Sequence, residues 1–171
     1  MIDRAALREL LTSEPATFAA AATEYVASVE PYESFDPDAV PVPTDELLDR
    51  ERRLLWKAWV LDDAPFGVVL SGAAYEDNPI LYANRYFREL SGYDLDALVG
   101  ENPRFLQGPD TEPDPLERLH EALRTWEPAT VELWNYRQDG ERFRNRVSLV
   151  PVPDDAGTVT HWFGIQERLD G

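Results

Sequence analysis

The stretch that says most about the fold of this chain covers residues 100–111 and reads Gly100-Glu101-Asn102-Pro103-Arg104-Phe105-Leu106-Gln107-Gly108-Pro109-Asp110-Thr111. Asn102 can cap a short helix, and Pro103 suits the first helical position, where its missing N–H does no harm. The residue before a proline also favours the extended backbone that a capping position requires. We therefore expect a short helical turn that begins at Pro103.

Three strands are predicted downstream of this stretch. Residues 131–137 alternate between apolar and polar side chains, and Asp139-Gly140 supplies the turn of a hairpin. The second strand of that hairpin covers residues 143–152. A turn at residues 155–157 then leads into a last strand over residues 159–167.

Upstream of residue 100, short apolar runs bounded by turn residues indicate two further strands. The order along the chain is two strands, several helices and three antiparallel strands. This order predicts an α+β domain with a five-stranded antiparallel sheet and helices on one face. The two strands cover residues 67–71 and 80–83, and the helices cover residues 85–91, 94–99 and 113–125.

Three amide side chains lie inside the apolar C-terminal strands, namely Asn135, Asn145 and Gln166. Side chains alternate between the two faces of a strand, so Asn135 shares a face with Leu133, and Asn145 shares one with Val147. If these faces line the core, the three amides project into an apolar cavity. There they either satisfy each other or bind a planar ligand with alternating donors and acceptors, such as a flavin. The alternative is that the amides sit on the solvent face.

Residues 100–108 resemble the flavin-binding segment of LOV (light-oxygen-voltage) domains, a subfamily of PAS domains with the pattern Gly-x-Asn-Cys-Arg-Phe-Leu-Gln-Gly. The chain departs from that pattern at Pro103 alone. The resemblance covers residues 62–168 and implies the PAS/LOV fold. Further landmarks in the order and spacing of the family are Asp77-Asn78-Pro79-Ile80, Asn84-x-x-Phe87, Gly92-Tyr93, Asn135-Tyr136-Arg137-x-Asp139-Gly140 and Gly164-x-Gln166.

The resemblance implies a role for each residue of a flavin site. Asn135 and Asn145 would bind the polar edge of the isoalloxazine, and Gln166 would lie beside N5 and O4 as a hydrogen-bond switch. Asn102 and Gln107 would bind the ribityl chain and the ring edge, and Arg104 would pair with the phosphate of FMN. The apolar walls would be formed by Leu106, Val147, Leu149 and Trp162.

The chain departs from LOV domains at two positions. Pro103 stands where the family has its adduct-forming cysteine, so no cysteinyl–flavin bond can form here. His120 stands where LOV domains often carry a second phosphate-binding arginine, although Arg118 and Arg124 are near it on the same helix. We therefore expect FMN as the cofactor, with riboflavin and FAD as alternatives.

The N-terminal third divides into two parts. Residues 1–43 are expected to form a helical extension with a break at Pro15, followed by a Pro-rich linker over residues 31–43. Residues 44–61 are expected to form an amphipathic helix capped by Thr44. Its apolar stripe either packs on the neighbouring domain, which we place at residues 62–168, or forms a homodimer. The stripe contains Leu48, Leu55, Trp56 and Trp59.

The composition excludes several kinds of function. Acidic residues outnumber basic ones by 33 to 16, giving a net charge of −17, and such a surface repels nucleic acids and anionic membranes. The acidic excess, the single lysine and the absence of cysteine favour a protein of a salt-loving cytoplasm, the alternative being a merely acidic, GC-biased protein. The two histidines are too few for a His-based metal site. With no signal peptide and no membrane-spanning run, we expect a cytoplasmic protein.

No catalytic signature is present, so we expect a sensor and not an enzyme. The leading hypothesis is a blue-light or redox sensor of the short LOV type, which signals through photoreduction of its flavin to the semiquinone and through Gln166. Tyr136, Trp134 and Trp162 are candidate electron donors. The chain ends soon after its last strand, from which we expect output through the N-terminal helices or a separate signalling protein. The alternatives are a degenerate PAS docking module and, less favoured, a flavin store or flavin-dependent enzyme.

Overall fold

The computed structural model of the protein describes residues 2–26 and 46–169. The Pro-rich linker expected at residues 31–43 and the capping residue Thr44 lie outside the described residues. No helix in the described part is long and apolar enough to cross a membrane.

Five strands form one antiparallel sheet, as the sequence predicts. The first strand pairs with the last, and the second strand pairs with the first at the sheet edge, so β5 lies at the centre of the sheet in the order β2-β1-β5-β4-β3. The strands are β1 (Gly67–Gly72), β2 (Ile80–Ala83), β3 (Ala129–Tyr136), β4 (Arg142–Pro153) and β5 (Val159–Arg168).

The helices fall into two groups. Those between β2 and β3 lie close to the predicted bounds, and those before β1 form the N-terminal extension. The six α-helices of the described residues are α1 (Arg4–Leu11), α2 (Pro15–Ala22), α3 (Asp49–Val60), α4 (Arg85–Ser91), α5 (Leu95–Leu98) and α6 (Pro113–Thr125). Short 3₁₀ turns cover Ala74–Glu76 and Pro103–Leu106.

The alternation of side chains along β1 and β5 divides the sheet into an inner face and an outer face. Val69 and Gln166 belong to the inner face, where they line a cavity beneath α6. Val68, Leu70 and Ile165 belong to the outer face, where they join the main apolar core. Both faces are therefore covered by helices, the inner one by the domain's own helices and the outer one by the N-terminal extension.

The N-terminal helices pack on the outer face through their apolar side chains. Leu7 and Leu11 of α1 and Phe18 of α2 are fully buried, and Leu55 and Trp56 of α3 join the same core. The apolar stripe of α3 thus packs on the chain's own domain, which is one of the two alternatives open from the sequence. A homodimer through these helices stays a prediction, and it could not use the buried side chains of Leu55 and Trp56.

The helix α3 begins at Asp49, later than the sequence indicates. Glu51, in the first turn, accepts a hydrogen bond from the Leu48 N–H at 3.2 Å and so satisfies the donor that precedes the helix. Leu48 itself is 69% exposed. Leu48, the first residue of the predicted apolar stripe, therefore lies before the helix and does not join the core.

Lys57 joins α3 to the end of α1. Its ammonium donates to the Leu11 carbonyl at 3.0 Å and to the Ser13 carbonyl, and it lies 5.6 Å from the centre of the Phe18 ring. These carbonyls end α1, where a positive charge is favourable. The only lysine of the chain therefore holds the N-terminal helices together.

His161 joins α3 to β5. Its Nε2 lies 2.9 Å from Glu51 Oε2, and its Nδ1 lies 2.8 Å from Thr160 Oγ1. The ring packs on Gly72, where a Cβ atom would come within 2.2 Å of it. Burial lowers the pKa of His161, and the Glu51 carboxylate opposes that shift.

Asn84 ties the inner helices to the sheet. Its Oδ1 accepts from the N–H groups of Phe87 and Val68, and its Nδ2 donates to the carbonyls of Leu61 and Phe66. The side chain is fully buried, and these four bonds satisfy it. One residue therefore caps α4 and fixes the start of β1 relative to that helix.

Candidate functional site

The inner face of the sheet and α6 enclose a cavity of about 390 Å³. This volume lies within the range of small-molecule and cofactor sites. Ten of the eleven side chains proposed from the sequence line it, and they come from three strands, from α6 and from the turn at Pro103. They are Asn102, Arg104, Leu106, Gln107, His120, Asn135, Val147, Leu149, Trp162 and Gln166.

The eleventh residue, Asn145, is not among the side chains that line the cavity, but it joins two that are. Its Nδ2 donates to Asn135 Oδ1 at 2.9 Å and to Gln166 Oε1 at 3.1 Å. The three amides expected to share one face therefore form a connected chain across β3, β4 and β5. Asn145 is fully buried.

One acceptor of this amide chain has no partner. Both protons of Asn145 Nδ2 are used, but Asn145 Oδ1 is buried and accepts no hydrogen bond within the described protein. A buried acceptor left unpaired costs about 1–3 kcal/mol. A ligand with an N–H group at its polar edge would remove that penalty. The unpaired oxygen therefore fits a planar, hydrogen-bonding ligand such as a flavin.

Asn135 connects the amide chain to the motif at residues 100–111. Its Nδ2 donates to the Leu106 carbonyl at 3.3 Å, while its Oδ1 accepts from Asn145. Asn135 thus bridges β3 to the 3₁₀ turn that contains Leu106.

Gln166 lies at the centre of the sheet beside Gly164. A Cβ atom at Gly164 would come within 3.1 Å of Gln166 Nε2, so the glycine leaves space for the amide to lie against the sheet. Gln166 Oε1 accepts from Asn145, and Gln166 is 5% exposed. The end of this side chain is therefore positioned by one hydrogen bond and one glycine.

The turn expected at Pro103 is present. Asn102 is extended, and its Oδ1 accepts from the Arg104 N–H at 2.9 Å, so it caps the 3₁₀ turn whose first residue is Pro103. Asn102 Nδ2 donates to the Asp77 carbonyl at 2.6 Å. Pro103 lines the cavity and brings no hydrogen-bond donor and no thiol to it.

Arg104 pairs with Asp77 at the rim of the cavity. The guanidinium makes two hydrogen bonds to the carboxylate, one of them at 3.1 Å, and both side chains are more than half exposed. The hydrogen bond from Arg104 lowers the pKa of Asp77. The cation expected to bind a phosphate therefore has a carboxylate partner, which a phosphate would have to displace.

His120 of α6 lines the cavity, as expected, whereas the two nearby arginines do not. Arg118 donates to the Thr130 carbonyl at 3.2 Å, and Arg124 pairs with Glu117 at 3.1 Å. LOV domains often carry a second phosphate-binding arginine at the position of His120. Neither Arg118 nor Arg124 is placed to take over that role.

Several residues that line the cavity were not expected there from the sequence. An apolar stripe at helical spacing, such as that of α6, does not show whether the helix faces a core or a cavity. Asn78 also lines the cavity, and its Oδ1 is buried without a hydrogen-bond partner in the described protein. The additional lining residues are Val69, Ser71, Asp77, Asn78, Pro103, Leu116, Leu119, Leu123, Leu133 and Gly164.

Of the three aromatic residues considered as electron donors, only Trp162 lines the cavity. Trp134 lies on the outer face of β3, where the Arg142 guanidinium sits 4.3 Å from the ring centre. Tyr136 packs on Gly108, and its hydroxyl accepts from the Asp110 N–H at 2.9 Å. Trp162 Nε1 is buried and has no hydrogen-bond partner among the described residues.

The part of the chain that forms the sheet and the cavity is similar to known domains. A family model described as "PAS domain" matches residues 65–167. A solved structure described as "Flavin Analogue Sheds Light on Light-Oxygen-Voltage Domain Mechanism" superposes with a TM-score of 0.61 and 39% identity. That match covers 64% of this chain and 82% of the other.

Two curated relatives are similar over different lengths. A bacterioopsin transcriptional activator of Halobacterium salinarum is 39% identical over 154 residues, which is 90% of this chain and 22% of that protein. A blue-light-activated histidine kinase of Brucella anthropi is 37% identical over 106 residues, which is 62% of this chain and 21% of that protein. The chain thus spans about a fifth of the length of either relative.

Proposed function

The chain belongs to the PAS domain family and, within it, to the LOV subfamily, and on that basis we propose that it is a flavin-binding sensor of blue light or redox potential. The observation that carries the proposal is the chain of three buried amides with one unpaired oxygen, Asn145 Oδ1, at an apolar cavity. FMN is the first candidate for the cofactor, and riboflavin and FAD are the alternatives.

The amides would hold the polar edge of the ring. Asn145 already donates both of its Nδ2 protons inside the protein, so it can offer the ligand only its oxygen. Gln166 Oε1 is occupied by Asn145, which leaves Gln166 Nε2 as the donor. Leu106, Val147 and Leu149 would pack on the ring and exclude water.

When bound, the flavin supplies absorption of blue light and an excited state that takes up one electron and a proton. The protein contains no cysteine, so signalling must proceed without a cysteinyl adduct. Pro103, at the position where the family pattern has that cysteine, lines the cavity without adding a reactive group.

Gln166 would convert a proton gained by the ligand into a change in the sheet. As arranged here, its nitrogen can donate to an unprotonated acceptor, and its oxygen accepts from Asn145. If the amide turns over so that its oxygen accepts a hydrogen bond from the protonated ligand, its nitrogen replaces its oxygen opposite Asn145 Nδ2. Two donors then face each other, and the 3.1 Å hydrogen bond breaks.

The change would reach the N-terminal helices through β5. Gln166 faces the cavity, and the next residue, Glu167, faces outward and pairs with Arg4 of α1 at 2.8 Å. A shift of β5 at Gln166 therefore acts directly on the attachment of α1. We propose that these helices pass the signal to a separate protein or to further domains, and that the chain itself has no catalytic turnover.

The first test is the absorption and emission spectrum of the purified protein in molar salt, before and after blue light. We expect a flavin spectrum, green emission and no bleaching to an adduct, followed by slow one-electron reduction when a reductant is present. Chromatography of the released cofactor identifies the flavin. A colourless protein that takes up no FMN, riboflavin or FAD would contradict the proposal and leave a PAS docking module.

Gln166→Leu tests the switch. The variant should still bind flavin, but illumination should no longer change hydrogen exchange in α1. Gln138→Leu is the control, because Gln138 is an exposed amide in the turn that follows β3. An unchanged response of α1 in Gln166→Leu would show that the signal takes another route.

A further inference from the structure

Two tryptophans stack between the cavity and the surface. The ring of Trp126 lies 6.3 Å from that of Trp162, centre to centre, with an angle of 20° between the planes. Trp162 is 1% exposed and lines the cavity, whereas Trp126 is 49% exposed. Together they form a continuous aromatic path from the cavity to solvent.

The position of Trp126 is an unusual one for a tryptophan. It is the residue that ends α6, with φ 58° and ψ 35°, a left-handed conformation for which glycine or asparagine is preferred. A large apolar ring that is half exposed adds little to the core. The local backbone therefore does not explain a tryptophan at this position. Stacking on Trp162 does explain it, because a stack requires an aromatic ring.

We propose that Trp126 and Trp162 form a two-step electron relay that carries an electron from a dissolved thiol at the surface to photoexcited flavin in the cavity. The proposal rests on the proposed function, because it needs a flavin that absorbs light and is reduced. It adds the route by which the electron enters the protein.

In this relay the electrons move one at a time, and both tryptophans are restored at the end. Trp162 loses one electron to the excited flavin, which later takes a proton from water, and Trp126 returns one electron to Trp162. A thiolate in solution then reduces the oxidised Trp126 by one electron and becomes a thiyl radical. The net change is one electron from the thiol and one proton from water, both gained by the flavin, with the two tryptophans restored.

The surroundings of Trp162 favour transfer to Trp126. An oxidised indole readily loses its N–H proton when an acceptor is near, and the resulting neutral radical is slower to recover an electron. Trp162 Nε1 has no hydrogen-bond acceptor among the described residues, so the oxidised ring keeps its proton. It therefore remains a strong oxidant toward the ring stacked on it.

Other aromatic residues are less suited to this role. All five tryptophans lie within the described residues, and Trp162 is the one that lines the cavity. Trp134 lies on the opposite face of the sheet beneath the Arg142 guanidinium, and a positive charge there makes the ring harder to oxidise. Trp126 is thus the partner of Trp162 that solvent can reach.

The experiment uses the full chain loaded with flavin and compares Trp126→Phe, Trp126→Tyr and Trp126→Gly with the unaltered protein. Phenylalanine keeps the stack but is hard to oxidise, tyrosine keeps an oxidisable ring, and glycine suits the left-handed backbone and so protects folding. Trp59→Phe on α3, on the other side of the sheet, is the control. Two quantities are measured: the rate of flavin photoreduction with thiol, and the rate at which thiol quenches the tryptophan radical seen by transient absorption.

We expect Trp126→Phe and Trp126→Gly to slow both rates by about tenfold or more, a barrier increase of about 1.4 kcal/mol. Trp126→Tyr should restore most of the loss, and Trp59→Phe should change neither rate. Equal rates in all variants would overturn the relay while leaving the sensor proposal intact. If the unaltered protein shows no photoreduction with any reductant, the proposed photochemistry fails, and the relay fails with it.

Discussion

Arg4 and Glu167 form an ion pair at 2.8 Å although 163 positions separate them in the chain. Arg4 is the first residue of α1, and Glu167 follows the cavity residue Gln166 on β5. Arg4 Nε also donates to Ser148 Oγ on β4 at 2.6 Å. The pair therefore attaches the N-terminal helix to the two strands that carry Asn145 and Gln166.

Replacing Glu167 should loosen α1. Both side chains are about one-fifth exposed, so we expect Glu167→Gln to destabilise the docked helix by roughly 0.5–1 kcal/mol. Hydrogen exchange over residues 4–11 should quicken by a corresponding factor of several. Glu117→Gln is the matched control, because its pair with Arg124 is exposed on α6. Equal exchange in the two variants would show that the Arg4–Glu167 ion pair does not hold α1 in place.

Replacing Asn145 should weaken flavin binding. Asn145→Leu removes the unpaired Oδ1 and also leaves Asn135 Oδ1 and Gln166 Oε1 without their donor. A loss of about 1–3 kcal/mol corresponds to a rise of roughly fivefold to 150-fold in Kd, which flavin fluorescence titration measures. Gln138→Leu should leave Kd unchanged. A Kd within about twofold of the original for Asn145→Leu would contradict the role of the amide chain.

Lys57 should make folding stability rise with pH above neutrality. Burial lowers the pKa of its ammonium from 10.5 to about 8, although the Glu14 carboxylate opposes the shift. Between these two values the unfolded chain binds more protons than the folded chain, so the free energy of unfolding increases with pH. The rise is on the order of 3 kcal/mol at most, since one pKa unit corresponds to about 1.4 kcal/mol.

Urea unfolding at a series of pH values from 7 to about 10 measures this effect. Lys57→Met should remove the increase, because methionine does not titrate. Above about pH 10 the tyrosines act in the opposite direction, since burial raises the pKa of Tyr25 and of Tyr82. An increase of the same size in Lys57→Met would assign the pH dependence to another group.

Salt should stabilise the fold. The net charge of −17 produces repulsion that acts most strongly at low ionic strength. Raising KCl from about 0.1 M to the molar range shortens the screening length from roughly 10 Å to 3 Å, so we expect Tm to rise by several degrees or more. Sucrose, which stabilises without screening, is the control. A Tm that responds to sucrose but not to KCl would refute the adaptation to salt inferred from the composition.

Local patterns were sufficient to predict most of the fold. The alternation in residues 131–137, the turn at Asp139-Gly140 and the pair Asn102-Pro103 each specify backbone geometry through neighbours in the chain. These features appear in the structure as β3, the β3–β4 turn and the capped 3₁₀ turn. Period-two alternation also placed each of the three amides on the same strand face as its apolar neighbours, but it left open whether those faces line the core or meet solvent.

The start of α3 was not predictable in the same way. The sequence places an acidic first turn after Thr44, and this pattern fits a helix that begins there or several residues later. Glu51 decides between them, because its carboxylate binds the Leu48 N–H. A hydrogen bond of this kind depends on the direction of the side chain, which composition does not reveal.

What the sequence by itself determined is the set of elements, the family motif and which apolar neighbours share a strand face with each amide, because these follow from contacts between near neighbours. What only the tertiary structure decided is which distant groups meet. It brings Asp77 to Arg104, Trp126 to Trp162 and Glu167 to Arg4, and it joins Asn145 to Asn135 and Gln166. Such pairs arise when whole elements pack, and packing depends on the shape of both surfaces at once, which no local pattern encodes.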